Sequence, residues 1–259
     1  MKPRRNKKQT APLRTQQKRT PQKTYRHLFF DLDNTVTRSK SLIEKDMRDV
    51  LLHALAHNIT VTIVSGAKET QAMKQTQNLP CFYLGQNGNN AIDGKTGAIF
   101  WRRDLTPAQK KEIFAHIASL PRTEKVKDEN DLVDDRGCQI SYSLIGHNED
   151  IVKKEACDPD HKKRLALLKE YPLHSKNVQV KSAGTTCLDY FEKGKHKGFN
   201  VAAFITLNGW KKNECIYIGD ALFPGGNDET VVGVIKTKAV KNPKETFSFL
   251  TRILKGIRT

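Results

Sequence analysis

Two short apolar runs near opposite ends of the chain each lead into a carboxylate, and this pairing constrains the fold more than any other feature. Near the N-terminus, His27-Leu28-Phe29-Phe30 leads into Asp31-Leu32-Asp33-Asn34-Thr35. Near the C-terminus, Cys215-Ile216-Tyr217-Ile218 leads into Gly219-Asp220, and Pro224-Gly225-Gly226-Asn227-Asp228 follows. Apolar runs this short, closed by turn residues, read as parallel strands buried on both faces. Ligands of such sheets bind beyond the carboxyl ends of the strands, so both acidic motifs fall where a site is built. Carboxylates gathered at one place repel each other unless a cation neutralises them, and a hard, oxygen-ligated ion such as Mg²⁺ is expected.

Between these runs the chain alternates strand and helix. The first strand, about 26–31, is followed by a helix about 43–57 with Leu51, Leu52 and Leu55 on one face. Thr60-Val61-Thr62-Ile63-Val64 is β-branched and predicts a second strand ending at Ser65-Gly66, then a polar helix over 67–77 and a strand at 81–84. Such alternation implies right-handed crossovers and a doubly wound, Rossmann-like α/β sheet. Turn residues at Gln86–Asn90 and Asp93–Gly97 predict a hairpin ending near Trp101.

The middle of the chain has a different rhythm. Thr106-Pro107 opens a helix to about Ser119, with proline where a missing N–H costs little. An alternating strand over 139–145, a charged helix over 158–171 and strands at 178–181 and 186–191 complete an inserted α+β unit. The α/β pattern then resumes with a helix at 197–207, a strand at 215–218, a short strand near 231–234 and a helix at 243–256. The expected division is a basic tail (1–24), a core domain in two parts (25–104 and 192–259) and a cap domain (105–191).

Charge and cysteine content narrow the setting. Residues 1–24 carry nine lysines and arginines and no acid, so the net charge of +17 falls to +8 for the remainder. This tail has too few apolar residues to fold alone. It reads as a solvated extension or as a weak polyanion contact, without aromatics to stack on bases. Five dispersed cysteines without a CxxC pair suit free thiols in a reducing cytoplasm. No apolar stretch approaches the roughly 20 residues of a membrane span, and no secretory signal is expected.

The carboxylates are suited to chemistry at phosphorus. Asp31 is the candidate nucleophile, since a carboxylate can accept a phosphoryl group as an aspartyl-phosphate. Asp33, two residues on, projects the same way and suits a general acid and base. An isolated Asp-x-Asp pair reads equally as a turn or a helix cap, but this one has companions. Ser65 closes the second strand with a hydroxyl, and Lys197 opens a helix with a fixed charge. Asp220 offers a metal ligand, supported by Asn227 and Asp228. His53 and His57 share a helix face at metal-binding spacing, but they have no third ligand and read as surface residues. Cys187 has no histidine close in sequence and reads as a buried strand thiol.

In order and residue type these four motifs resemble those of the haloacid dehalogenase superfamily, of the kind with a type IIB cap. The resemblance implies that Asp31 attacks phosphorus, that Ser65 and Lys197 orient phosphate, and that Asp31, the Asp33 carbonyl and Asp220 hold Mg²⁺. From residue 25 onward the chain is also similar to the eukaryotic-type phosphomannomutases. Gly219 to Asp228 resembles their GD-x-x-x-PGGND segment, and Asp135-Arg136-Gly137, Ser143–Gly146 and Gly184–Phe191 resemble segments of their substrate-binding cap. That likeness carries substrate contacts onto Arg136 and Asp189, and implies a homodimer through the cap. Where the family has arginines this chain has Lys40, His147 and Lys154, and Cys187 replaces a serine. Neither lysine nor histidine reproduces a bidentate guanidinium. A mutase must grip a bisphosphate in two orientations, so these departures favour a phosphohydrolase of a small phosphosugar over a hexose phosphomutase.

A third reading is a basic nucleic-acid-binding protein whose enzyme-like core is incidental. It predicts RNA binding that weakens steeply with salt and vanishes when residues 1–24 are deleted. Equal polyanion binding by full-length and truncated protein, measured across a salt series, would refute it.

Overall fold

A computed structural model describes residues 25–255. The tail at 1–24, with its expected polyanion contact, lies outside them. Seven strands form the larger sheet in the order β11-β10-β1-β2-β3-β4-β5. These are β1 (His27–Phe30), β2 (Thr60–Val64), β3 (Phe82–Gly85), β4 (Asn90–Asp93), β5 (Ile99–Arg102), β10 (Cys215–Gly219) and β11 (Lys236–Ala239). The first five in that spatial order are parallel, and β4 and β5 extend one edge as an antiparallel hairpin.

Side-chain alternation explains why β1 is apolar at consecutive positions. Leu28 and Phe30 join one buried cluster with Val61, Ile63, Ile216 and Ile218. That cluster is covered by α1 (Lys45–Ala56) and α7 (Pro243–Leu254), through Met47, Leu51, Phe249 and Leu250. Phe29 points the other way, with Val64, Leu84 and Tyr217, onto Val201, Phe204 and Ile205 of α6 (Lys197–Leu207). Helices on both faces of a mostly parallel sheet make this an α/β fold of the doubly wound kind.

Strands β6 (Val133–Asp135), β7 (Gln139–Ser143), β8 (Val178–Ala183) and β9 (Cys187–Glu192) form a second, antiparallel sheet in the order β6-β7-β9-β8. Its own apolar cluster joins Ile140, Leu188 and Tyr190 to Ile113 and Ile117 of α3 (Pro107–Ser119). A capping box starts α3: Thr106 accepts from the Gln109 N–H while the Gln109 side chain accepts from the Thr106 N–H.

The second sheet stands over the carboxyl ends of the first. The Arg136 guanidinium donates to the Gly66 carbonyl at 2.6 Å, and Asn87 donates to the Gln139 side chain at 2.6 Å. Ion pairs Arg38–Glu155, Lys68–Asp134 and Lys181–Glu229 ring these contacts. All three are partly exposed, so water and salt screen them and they add little to stability. The buried polar contacts decide how the two units sit.

Three local expectations are corrected. The helix expected over 158–171 starts late, as α5 (Lys162–Glu170), and an unforeseen α4 (Ile151–Cys157) precedes it. The two are separated because the Asp158 carboxylate turns back to accept from the Lys163 and Arg164 N–H groups, with His161 in the left-handed region. The strand expected near 231–234 is a 3₁₀ turn at Glu229–Val231 followed by Gly233 at φ +85°, and the edge strand forms later, as β11. The strand expected to reach 145 ends at Ser143, beyond which the Leu144 N–H turns to the Thr186 carbonyl.

Arg164 is the largest fully buried side chain among the described residues, and it ties the second unit together. Its guanidinium donates to Asp158 at 2.6 Å and to the Ala183 carbonyl at 2.6 Å, and both charged partners are at most 1% exposed. Removing one member of a buried pair strands the other charge. Asp158→Ala is therefore expected to cost about 3–5 kcal/mol. Denaturant unfolding measures it, and a loss under about 1 kcal/mol would show that water reaches Arg164.

Candidate functional site

Strand order sets the site. The chain runs outward from β1 through β2 and β3, then returns across β1 to add β10 and β11, so the order reverses between β1 and β10. A crevice opens beyond the strand ends at such a switch point. In register, Phe30 lies beside Ile218 and Ile63, which puts Asp31, Asp220 and Ser65 just past three adjacent strand ends. The Asp31 N–H donates to the Ile218 carbonyl at 2.9 Å, holding the first acid against β10.

Asp31 is buried, and Lys197 reaches it at 2.5 Å. The same ammonium donates to Asp228 at 2.7 Å. Lys197 is the first residue of α6, where the helix dipole disfavours a cation, so the two carboxylates must outweigh both dipole and desolvation. His196 caps this helix by accepting from the Phe199 N–H at 3.1 Å.

The glycine-rich loop returns Asp228 to a place under β10. The Asp228 N–H bonds the Ala221 carbonyl at 3.1 Å, and the Tyr217 hydroxyl donates to the Asp228 carboxylate at 2.7 Å. A Cβ on Gly219 would lie 2.3 Å from that carboxylate, which is why the residue before Asp220 is glycine. Oxygens of Asp31, Asp220 and Asp228 all lie within 4.8 Å of one another. Among the described residues this is the only group of three or more metal-type side chains, and it leaves out His53 and His57, whose rings pack at 4.2 Å.

Three carboxylates facing one ammonium leave excess negative charge, and the acids respond to it. Burial, with Asp228 and Asp220 alongside, pushes the Asp31 carboxyl well above the usual carboxylate range despite Lys197. Burial and Asp228 push Asp220 up to about 7. Lys197 is held well above an ordinary lysine because its two carboxylates outweigh the burial that opposes its charge.

Asp33 stands apart from this cluster. Its carboxylate accepts from the Lys40 N–H at 2.9 Å and from Gln75 at 3.2 Å, on a turn that Asn34 closes in the left-handed region. Ser65 accepts from the Ala67 N–H at 3.0 Å. Asp33, Ser65 and Asn227 line the same cavity, of about 740 Å³.

The second sheet supplies the opposite wall. Asp189 is buried, accepts from Ser141 at 2.7 Å, and comes so near Gly66 that a Cβ there would sit 2.6 Å from it. Arg136, Lys40, His147 and Lys154 also line the cavity. The ammonium groups of Lys40 and Lys154 both donate to the His147 carbonyl. Burial and the charge of Lys40 lower Lys154 to about 8. Cys187 does have a histidine partner, contrary to expectation: its Sγ lies 4.0 Å from His147 Nδ1. Forty residues separate the two, so no spacing rule could have paired them. Gln75, Tyr217 and Ser141 were likewise missed, and nothing in their surroundings in the sequence marks them.

No helix among the described residues is long and apolar enough to cross a membrane. A sequence model of haloacid dehalogenase-like hydrolases matches residues 28–229. Phosphomannomutase 1 of Dictyostelium discoideum is 25% identical over 245 residues, covering 87% of this chain and 95% of that protein. Among solved structures, SMU.1108c from Streptococcus mutans aligns with a TM-score of 0.64 at 16% identity, over 91% of this chain and all of that one. The IMP-nucleotidase of Plasmodium falciparum aligns at 0.62 and 16% identity, over 90% of this chain and 68% of that one. With the acidic cluster at the strand ends of the fold these structures share, and a sequence match that spans most of the chain, the protein belongs to the haloacid dehalogenase-like hydrolases and acts on phosphate groups.

Proposed function

We propose that the chain is a Mg²⁺-dependent phosphohydrolase acting on a small phosphosugar through an aspartyl-phosphate. The observation that carries this reading is the Lys197 ammonium fixed between Asp31 and Asp228, with Asp220 beside them, in a cavity lined from both sheets. Three oxygen donors with excess negative charge suit a hard divalent cation. Asp31, the Asp33 carbonyl and Asp220 would hold Mg²⁺, with Asn227 and Asp228 supporting them. Bound there, the ion would offset negative charge on the phosphoryl oxygens.

Asp31 attacks phosphorus, the bond from phosphorus to the sugar oxygen breaks, and Asp33 gives that oxygen its proton. Water then attacks the same phosphorus and yields a proton to Asp33. The bond to Asp31 breaks, and inorganic phosphate leaves. Ser65 and Lys197 orient the phosphoryl oxygens throughout. Residues 105–191 act as a cap over a core made of 25–104 and 192–259, excluding water until the aspartyl-phosphate has formed. From the cap side Arg136, His147, Lys154 and Asp189, with Lys40 of the core, meet the sugar and its substituents.

A second reading, a hexose phosphomutase, is favoured by the likeness to a protein named phosphomannomutase over 87% of this chain. It requires that the lysines and His147 hold a distal phosphate as firmly as arginines would.

Asp31→Asn is expected to abolish phosphate release from every accepted substrate while thermal unfolding stays cooperative. Residual activity above a few per cent would remove Asp31 as nucleophile. Incubating the protein with Mg²⁺ and a hexose 1-phosphate, with and without a sugar bisphosphate, separates the two readings. Free phosphate supports the hydrolase, and isomerised phosphosugar supports the mutase. Asp228→Asn, one shell outside the direct ligands, should weaken Mg²⁺ binding about 10–100-fold by calorimetric titration. An unchanged affinity would place the cation elsewhere.

A further inference from the structure

Of the five cysteines, Cys187 alone lines the cavity. It begins β9, opposite Ser143 of β7 and Ala183 of β8, and its carbonyl is held by Arg164 at 3.3 Å. Its sulfur faces His147 Nδ1 at 4.0 Å. His147 Nε2 is engaged with the Ser141 carbonyl at 3.1 Å, a contact that requires a proton on Nε2. The neutral ring therefore presents Nδ1 as an acceptor towards the thiol.

The charges around the sulfur favour its anion. Arg136 approaches from the β6–β7 turn and Lys154 from α4, with Lys40 behind it, while Asp189 opposes them from β9 itself. Lys154 is 3% exposed, and its ammonium donates to the His147 carbonyl. Burial alone would raise the Cys187 thiol, but the hydrogen bond and charge of His147 outweigh it and bring it down to about 6. The other four behave oppositely. Burial pushes Cys81 and Cys138 up to about 12 and Cys215 up to about 11, and it raises Cys157 as well.

We propose that Cys187 is a modification site, a thiol activated by His147 that hydrogen peroxide oxidises inside the substrate cavity and that thereby switches the enzyme off. The reacting pair is thiolate and imidazolium. Sulfur attacks one peroxide oxygen, the O–O bond breaks, and a sulfenic acid forms. The departing hydroxide takes the imidazolium proton and leaves as water, so sulfur is oxidised and peroxide reduced with no further reactant. A low-molecular-weight thiol returns the sulfur to its starting state through a mixed disulfide. The oxygen or thiol adduct would project into the cavity that Asp189 and Arg136 also line. The switching half rests on the phosphohydrolase reading, whereas the modification itself does not.

The test uses the full chain. Iodoacetamide labelling followed by peptide mass spectrometry, run from pH 5 to 9, should alkylate Cys187 before the other four cysteines, with a midpoint near pH 6. His147→Asn should move that midpoint up by about two pH units and slow labelling at pH 6 about five- to eightfold, since the roughly fiftyfold loss of thiolate outweighs the roughly six- to tenfold gain in nucleophilicity. A wild-type midpoint between about 8 and 9, the value of an unperturbed thiol, overturns the activation without recourse to any variant. So does labelling no faster than at Cys157. After peroxide, a 1,3-dione probe should trap the sulfenic acid at Cys187, and phosphate-ester hydrolysis should fall about tenfold and return with dithiothreitol. Cys187→Ser should keep under peroxide whatever activity it starts with. Full oxidation with unchanged hydrolysis, or equal inactivation of Cys187→Ser, overturns the switch while leaving the phosphohydrolase reading standing.

Discussion

The arrangement depends on one ammonium. Lys197 is fully buried, sits at the helix end that disfavours it, and is stable there only because Asp31 and Asp228 flank it. Those acids in turn are tolerable at such burial only because Lys197 is present. The mutual requirement ties together β1, the start of α6 and the loop after β10, three elements far apart in sequence. Tyr217 and the close approach at Gly219 fix Asp228 as the third corner. The excess of one acid beyond these pairs, Asp220, makes the site a place for a cation rather than a closed ion-pair network.

Much of this arrangement was legible because its parts sit at strand ends, where pattern and position coincide. Consecutive apolar residues at 28–30 and 215–218 signalled burial on both faces, and the turn residues after them signalled the edge of the sheet. What was not legible depends on pairings made by the second sheet. His147 and Cys187 meet because β7 and β9 are neighbours, and neither residue carries a local sign of that. The break between α4 and α5 is due to one carboxylate, Asp158, capping the second helix, in a segment whose charge pattern suits a continuous helix equally well. At 231–234 the valines favour a strand, but Gly233 in the left-handed region turns the chain first.

The two walls of the cavity have different chemical characters. The core wall is acidic around a single ammonium, suited to a cation and a phosphoryl group. The opposite wall holds Arg136, Lys154 and His147 against Asp189, with a thiol among them. Where a guanidinium would bring a fixed planar fork, these lysines bring point charges already turned to the His147 carbonyl. The wall thus carries much of its positive charge on flexible stems rather than on a fixed fork.

Strand order has a consequence for synthesis of the chain. In the finished sheet β1 is central, flanked by β2 and β10, yet β10 lies nearly 190 residues downstream. As the protein emerges from the ribosome, β1 must therefore wait with one side unpaired until residues 215–219 have been made. The second sheet, whose contacts lie within a continuous stretch, can form during that interval. Completing the larger sheet and completing the acidic cluster are then the same late event, so a nascent chain gains its chemistry only as it closes that open side of β1.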